Sequence, residues 1–477
     1  MGRAEQIEAL LGRRDVQSVL RRLTRRRRDG GCLLADFFAG YGGDGVPLWR
    51  RPALVLPTLL TEWIRRKTGA SREVLRGRVL GHEPTRRALV NTVRSIGRLG
   101  LTRPQRFAAP LLVVWNFTQA CNLSCRHCYQ SAHGPLPDEL DLRQQTAILD
   151  DLRANDTSWV AFSGGEPLMG RNFWPVVAHA GRTGFHVSVA TNGTLLTRDV
   201  VKRLVDCGVR YIEISLDSTD PDEHDAFRGG RGYWARTVSG IDCAVAQPGV
   251  RVGIAPTITR LNLHELPRLI DFAVEHGADT FYAFNFVPVG RAGEATEIDL
   301  TPEMREEMLA VLYAELNRGR IAVMSTAAQM GRVCLERAGD DGLVSTGHYG
   351  FGKASLARVM AGYVGGCGAG RCYLAIQPNG LVTPCVFMPN LVIGDFRKQR
   401  LADFWLDHPV LELLRDRDRR TGHCAVCAFK TTCGGCRARP LAYFGDLTRS
   451  DPGCIHNQAE WHEVCANAHS LHESPRS

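Results

Sequence analysis

From about residue 111, short apolar runs alternate with amphipathic stretches along the chain. The runs cover 111–117, 159–162, 185–190, 211–216, 252–258 and 280–287. Between them lie segments such as 142–152 and 199–207, whose apolar residues recur at helical spacing, and 271–276 closes another just before Gly277, a helix stop. Repeated strand–helix units predict a parallel sheet with helices on its outer face. Six units are too few to close an eight-fold barrel. The expected fold class is therefore α/β: an open, partial (β/α)6 barrel with its site at the C-terminal ends of the strands.

On either side the pattern differs. Residues 1–108 read as a helical, basic N-terminal extension with no repeated strand pattern. Ile7, Leu10 and Leu11, then Val16, Val19, Leu20 and Leu23, recur at helical spacing. Pro47, Pro52, Pro57 and Pro84 cut the extension into short pieces, and Gly40, Gly42, Gly43 and Gly45 mark a turn too irregular for a nucleotide-binding fingerprint. The barrel is expected over 109–330 and a linker over 331–365. A cysteine-rich domain follows over 366–460, with a tail over 461–477. In the cysteine-rich part strands are short, and Pro378-Asn379-Gly380 supplies a tight turn. Such a region buries little apolar surface, so metal clusters are expected to hold it together.

Composition narrows the class only modestly. Apolar residues make up 44% and charged residues 23% of 477, as in ordinary globular proteins. No apolar run approaches the roughly 20 residues that cross a bilayer, and the first residues lack the apolar core of a secretory signal. A cytoplasmic location is expected. The net charge of +9 concentrates early: residues 1–30 hold nine arginines against four acids, ending in Arg25 to Arg28. A solvated face is the plain explanation. An anionic substrate, a nucleic acid or peripheral contact with an anionic membrane surface are the sharper ones.

The sixteen cysteines change the picture most. Only Cys32 lies before residue 121, whereas nine fall between Cys367 and Cys465. In a reducing compartment such clustering points to metal binding rather than disulfides. Cys32, Cys207, Cys243, Cys334 and Cys465 have no partner at metal spacing and read as small hydrophobes.

Cys121-Asn-Leu-Ser-Cys125-Arg-His-Cys128 follows directly on the first strand. Three thiolates in one tight loop can hold three irons of a [4Fe–4S] cube and leave the fourth iron without a protein ligand. A zinc site is the competing reading, with His127 as fourth ligand; its place between two ligands in sequence makes it an awkward member of the same tetrahedron. Later strands end in Ser163-Gly164-Gly165-Glu166-Pro167, Thr191-Asn192-Gly193 and Ser215-Leu216-Asp217, and Arg228 follows in His224-Asp225-Ala226-Phe227-Arg228.

Together these segments resemble the radical S-adenosylmethionine (SAM) superfamily. The resemblance implies that SAM chelates the open iron and is cleaved reductively to a 5′-deoxyadenosyl radical. It implies that Gly164, Gly165 and Glu166 meet the SAM amino group and that Asn192 lines the pocket. Ser215 and Asp217 would approach the ribose, Arg228 the carboxylate, and Arg291, in Val289-Gly290-Arg291, the adenine.

Cys367-x4-Cys372 precedes Gly380-x4-Cys385, then Cys424-x2-Cys427-x5-Cys433-x2-Cys436 and Cys454. This series is similar to the SPASM extension of the same superfamily. It implies two auxiliary [4Fe–4S] clusters, three clusters in all, with Cys367, Cys372, Cys385 and Cys436 on one and Cys424, Cys427, Cys433 and Cys454 on the other. A pair of structural zinc sites is the alternative, since the second half also reads as a zinc ribbon.

The resemblance implies an enzyme, a radical SAM oxidoreductase or maturase supplied by a one-electron donor such as ferredoxin or flavodoxin. Fully ligated auxiliary clusters would relay electrons. The leading expectation for the substrate is a peptide or protein. A tetrapyrrole is the alternative, since Cys433-Gly-Gly-Cys436-Arg-Ala-Arg439 with Tyr443-Phe-Gly-Asp446 resembles the SPASM enzymes of alternative haem synthesis, and the early arginines would suit an anionic substrate. Another small molecule stays open. A non-catalytic metal-cluster protein binding nucleic acid is the reading from another class, although no nucleic acid is expected. No substrate-side acid or base is named by any motif.

Overall fold

A computed structural model describes all residues except 1–2, 29, 43–57, 59–60, 63–64, 67–70, 340–342, 347–348, 354 and 474–477. Pro47, Pro52, Pro57, Gly43 and Gly45 lie outside the described residues. The chain contains strands β1 (Leu112–Thr118), β2 (Trp159–Gly164), β3 (His186–Thr191), β4 (Val209–Ile214), β5 (Arg251–Ile254), β6 (Thr257–Ile258) and β7 (Thr280–Asn285). These are followed by β8 (Ala322–Ser325), the hairpin β9 (Leu343–Thr346) and β10 (Tyr349–Lys353), then β11 (Tyr373–Ile376), β12 (Leu381–Thr383) and β13 (Gly394–Asp395).

β1 to β5 and β7 form the six parallel strands expected, in sequence order and separated by helices. Two further parallel strands flank them: β8 pairs with β7 at one edge, and β11 pairs with β1 at the other. The strand that opens the cysteine-rich region is thus welded into the barrel sheet, with Leu112 opposite Tyr373 and Trp115 opposite Ile376. β12 and β13 then add antiparallel.

Period-two alternation gives the sheet two different faces. Val113, Trp115, Phe117, Val160, Phe162, Val187, Val189, Ile212 and Ile214 point outward, where helices such as Leu142–Ala154 and Phe173–Arg182 bury them completely or nearly so. At roughly 25 cal/mol per Å2 of apolar surface removed from water, this shared layer is the main stabiliser of the barrel. The inner face carries the mixed set Trp159, Ser163, His186, Tyr211 and Glu213, which surrounds a cavity instead of a packed core. The helix Leu142–Ala154 opens on a capping box in which Asp141 and Gln144 satisfy each other's amides.

The N-terminal extension is helical: Arg3–Gly12, Arg14–Leu23, Leu33–Gly42 and Glu83–Leu99. It has its own small core, with Leu23, Cys32, Phe37, Phe38 and Val90 buried together. Gly97 lets two helices meet closely, since a Cβ there would sit 2.9 Å from the Arg21 amide nitrogen. The arginine run is partly consumed within the chain. Arg26 pairs with Asp156 at 2.8 Å and Arg27 with Asp36 at 2.7 Å, while Arg25 and Arg28 stay exposed.

The stretch 331–365, expected as a linker, carries most of the helix Met330–Arg337, the β9–β10 hairpin and the helix Ser355–Val364. Its short apolar segments lack the length that makes a period visible in sequence. The expected tail, where it is described, continues the helix Gln458–Glu473. Among the described residues, no helix is long and apolar enough to cross a membrane.

Candidate active site and cysteine centres

At the C-terminal ends of the strands, Cys121, Cys125, Cys128, Gly164, Gly165, Asn192, Ser215 and Arg228 line one cavity of about 140 Å3. The cysteine loop is braced from several sides. The Cys121 amide donates to His133 O, and the Arg126 amide to Phe227 O. The Arg291 amide donates to Cys128 O, and its Nε to Cys125 O at 2.8 Å. Arg291 therefore clamps the loop's backbone. Asp217 Oδ2 pairs with Arg228 Nε at 2.6 Å, and the Arg228 Nη1 donates to Cys125 Sγ at 3.8 Å. His127 stacks on Phe227 at 4.1 Å between centroids. Among the described residues, no three of His, Cys, Asp and Glu gather closely enough for a single metal ion.

The two glycines owe their identity to packing. A Cβ on Gly165 would lie 2.1 Å from Ala120 O, and Gly164 has φ +118°, with a Cβ there 2.7 Å from Thr118 O. Glu166 stands behind the cavity, fully buried. Its carboxylate accepts from Thr191 Oγ1 at 2.8 Å, from the Asn192 amide at 2.9 Å and from the Leu168 amide at 3.3 Å. It joins the end of β2 to the end of β3. Asn192 in turn donates through Nδ2 to Asn122 Oδ1 at 2.8 Å, tying the third strand to the cysteine loop.

A second cavity of about 360 Å3 continues into the barrel interior and shares Tyr129, Ser163, Glu213 and Phe387 with the first. Its lining includes Cys367, Cys385 and Cys436. The Tyr129 hydroxyl, within 3.0 Å of Ser163 Oγ, stands where the two cavities meet. Glu213 was named by no motif. Among the described residues it has no hydrogen-bond or ion-pair partner, and burial pushes its carboxyl up to about 8. The signal in the sequence is faint: Tyr211, Glu213 and Ser215 alternate with Ile212, Ile214 and Leu216, which puts a charge on the inner face.

The later cysteines fall into two groups. Cys367 and Cys385 lie close enough to Cys436 to disfavour its ionisation, and Cys367 does the same to Cys385. Cys424 and Cys454 do the same to Cys433, and Cys424 to Cys454. Cys427 sits beside Cys424 at the end of one short turn, and its Sγ accepts from the Phe429 amide. The Gly435 amide donates to Cys433 Sγ and Asn457 Nδ2 to Cys424 Sγ, bonds that suit sulfurs carrying negative charge. Cys372 is buried with Phe107 and Leu111, and its Sγ lies 3.8 Å from Gly368 O, next to Cys367.

The surroundings fit iron–sulfur clusters. Burial is the first cause that pushes Cys121, Cys385 and Cys454 up to about 12, so these thiols ionise only if a cation replaces the proton. Arg371, Arg417, Arg420 and Arg437 are buried around the later cysteines and bond only backbone carbonyls, with no carboxylate partner among the described residues. Arg417 feels both Cys367 and Cys433. Unpaired buried cations are costly, and anionic thiolate-ligated clusters supply the missing countercharge.

Two family models match the chain: the radical SAM superfamily over residues 115–273, and an iron–sulfur cluster-binding domain, SPASM, over residues 367–428. The AdoMet-dependent heme synthase of Methanosarcina barkeri is 31% identical over 351 residues, spanning 73% of this chain and 97% of that protein. The mycofactocin maturase MftC of Mycobacterium tuberculosis is 31% identical over 364 residues, 74% of this chain and 84% of that one. Among solved structures, Streptococcus suis SuiB bound to S-adenosylmethionine shares the fold with a TM-score of 0.62 at 16% identity, covering 88% of this chain and 92% of SuiB. The chain belongs to the radical SAM superfamily, as an enzyme that uses SAM with a [4Fe–4S] cluster and binds auxiliary iron–sulfur clusters in a C-terminal SPASM domain.

Proposed function

We propose that Cys121, Cys125 and Cys128 hold the SAM-binding cluster, and that Gly164, Gly165, Asn192, Ser215 and Arg228 surround SAM while Glu166 braces the pocket from behind. Cys367, Cys372, Cys385 and Cys436 would hold one auxiliary cluster, and Cys424, Cys427, Cys433 and Cys454 the other. When bound, these groups supply a 5′-deoxyadenosyl radical that removes hydrogen from an unactivated carbon, and one-electron redox capacity fed by a ferredoxin or flavodoxin. The chain's own part is positional. Arg228 keeps a buried positive charge at the pocket, fixed by Asp217, suited to a carboxylate. Tyr129 and Phe387 sit where the SAM pocket opens into the inner cavity.

The substrate we infer is a tetrapyrrole bearing carboxylate side chains, modified at one of those side chains. The inner cavity carries this reading. Its wall is mainly apolar and aromatic, with Trp159, Tyr211, Tyr282 and Phe284, and has few ionisable groups, among them Glu213, His186 and Arg251. A flat apolar macrocycle with a few charged arms matches such a wall. An extended peptide would bring a backbone donor and acceptor at every residue, each needing a partner. The likeness to the AdoMet-dependent heme synthase, spanning nearly all of that protein, supports the same class.

Peptide maturation is the second reading, favoured by the likeness to the mycofactocin maturase. Anaerobic, reconstituted enzyme given SAM and a strong reductant is expected to form 5′-deoxyadenosine, and Cys125→Ala to form none. Adding an iron porphyrin with propionate side chains is expected to accelerate that formation and to change the porphyrin's mass. An unchanged porphyrin alongside a modified test peptide would reverse the order of the two readings.

A further inference from the structure

The inner cavity has a second end, away from the SAM pocket, built by the residues that begin the strands. Leu112, Trp159 and His186 are the first residues of β1, β2 and β3, lie side by side in register and all face the cavity. Arg251, the first residue of β5, lines it too, in register with Tyr211. His186 is half-buried and Arg251 exposed, so this end reaches the surface. The ring nitrogens of His186 have no hydrogen-bond or ion-pair partner among the described residues; the ring meets the Trp159 indole edge-on at 6.4 Å between centroids. Arg251 has no carboxylate partner among the described residues, and its guanidinium lies 5.9 Å from the centroid of the Tyr211 ring. An imidazole and a guanidinium left unpaired on a mainly apolar wall are open to a ligand. Higher on the same wall the side chains are small, with Ser188 and Ala190 on β3 and Ala161 beside them on β2. From His186 to Ala190, which lines both cavities, the strand climbs about 13 Å. The N-terminal extension braces this end: Arg87 donates to Thr183 O at 3.1 Å and lies over the ring of Phe185, the residue before His186.

We propose that His186 is the axial ligand for the iron of a tetrapyrrole substrate, and that Arg251 pairs with one of that substrate's carboxylates. This assignment rests on the tetrapyrrole reading of the cavity and narrows it, because the macrocycle then arrives already holding iron. Imidazole is a common ligand of haem iron, and among the described residues lining this cavity His186 is the one imidazole. The bond is a donation of the ring nitrogen's lone pair, and no electron is transferred. Side chains stand roughly perpendicular to their sheet, so a macrocycle held on His186 lies parallel to β3. One edge climbs past Ser188 and Ala190 toward Ser163 and Glu213. A carboxylate arm is thereby brought to the SAM pocket while Arg251 keeps another at the opposite end.

The test titrates full-length, reconstituted enzyme, anaerobically and without SAM, with an iron porphyrin bearing propionate side chains and with its metal-free parent. The iron form is expected to bind on the order of tenfold more tightly. Its reduced carbon monoxide adduct should show the absorption band of iron with an imidazole on the opposite side. His186→Gly should lose both that band and the preference for iron, and free imidazole should restore the band by filling the vacated position. Arg251→Gln should weaken binding of both forms alike and leave the band where it is; unaltered affinity there would overturn the carboxylate contact. Equal affinity of the wild-type enzyme for the two forms would overturn the iron ligand, a result that needs no substitution. So would an imidazole-type band that persists in His186→Gly. Wild-type enzyme that binds neither porphyrin would instead bring down the tetrapyrrole reading, and this assignment with it.

Discussion

Arg439 reaches from the cysteine-rich domain into the barrel, its Nη1 lying 2.8 Å from Asp299 Oδ2 with both side chains wholly shielded from solvent. Its Nε donates to Asp451 Oδ1 at 3.1 Å, Tyr443 Oη donates to Asp299 at 2.6 Å, and Arg305 holds the other Asp299 oxygen at 2.7 Å. Burial alone would raise Asp299, but Arg439 and Arg305 outweigh it and hold the carboxyl below its ordinary range. A carboxyl depressed in this way stabilises the fold above its ordinary pKa and loses that contribution as pH falls through the depressed value. Arg439→Ala leaves two buried carboxylates short of a partner, which costs about 3–5 kcal/mol. The thermal midpoint of the anaerobic holoenzyme is expected to drop by roughly 3–5 °C. Arg439→Lys should recover little, because a single ammonium cannot span both aspartates as the guanidinium fork does. An unchanged midpoint in either variant would contradict this role.

Gly165→Ala is expected to damage the cysteine loop before anything else. The new methyl would press on Ala120 O and Ala120 C, at 2.1 and 2.7 Å, which are backbone atoms immediately before Cys121. Backbone cannot swing aside as a side-chain tip can, so overpacking of about 1–3 kcal/mol falls on the loop itself. Reconstituted variant should lose about four irons, those of the SAM cluster, and keep the auxiliary signals. Retention of full iron content and of SAM cleavage would show that the strand ends are looser than these contacts imply.

Glu166→Gln keeps the shape of the strut but replaces one acceptor oxygen with an amide donor. Thr191 Oγ1, the Leu168 amide and the Asn192 amide all donate to the present carboxylate, so one of them must then face a donor. That mismatch costs about 1–3 kcal/mol. Asn192 lines the proposed SAM pocket, and its backbone is positioned by this bond, so part of the cost should appear in binding. SAM affinity, measured by equilibrium titration of reconstituted enzyme, is expected to fall on the order of tenfold. A variant with unchanged affinity and a lower thermal midpoint would make Glu166 purely structural.

What sequence could reveal of this molecule follows from what leaves a period or a spacing. Cys121, Cys125 and Cys128 are legible because all three proposed ligands sit in one loop, and β1 to β5 because each is a run of apolar residues between helices. β8 and β11 are four residues each, too short to show a period, and their place in the sheet depends on partners that are not their sequence neighbours, β7 for β8 and the far more distant β1 for β11. The segment holding Arg439 and Tyr443 resembled a substrate-class signature. In the structure both residues are occupied in the ion-pair network around Asp299, so part of that pattern serves domain docking. The early arginines carry a similar lesson, since Arg26 and Arg27 are paired within the chain.

Glu213 gives the sharpest dependence on pH. It lies on β4 facing both cavities, and burial, acting without a compensating partner among the described residues, pushes its carboxyl up to about 8. Because the folded-state value lies above the unfolded one, the folded protein binds more protons between roughly pH 4.5 and 8. The associated stability is fully present below the unfolded value and is lost as pH rises through that window. The carboxyl faces a cavity that admits water, so the loss should be well short of the full linkage value, on the order of 2 kcal/mol. Glu213→Gln removes the titration and keeps the shape. The thermal midpoint of wild-type holoenzyme is therefore expected to decline relative to Glu213→Gln from pH 5 to 8 and to run parallel with it above that. At neutral pH the same group is a protonated acid beside the SAM pocket, able to donate a hydrogen bond or a proton to a substrate anion. Turnover of the true substrate should accordingly fall in Glu213→Gln while SAM cleavage without substrate persists. Two superimposable midpoint curves across the whole range would mean that Glu213 is solvated like a surface carboxylate, and the acid role would fall with it.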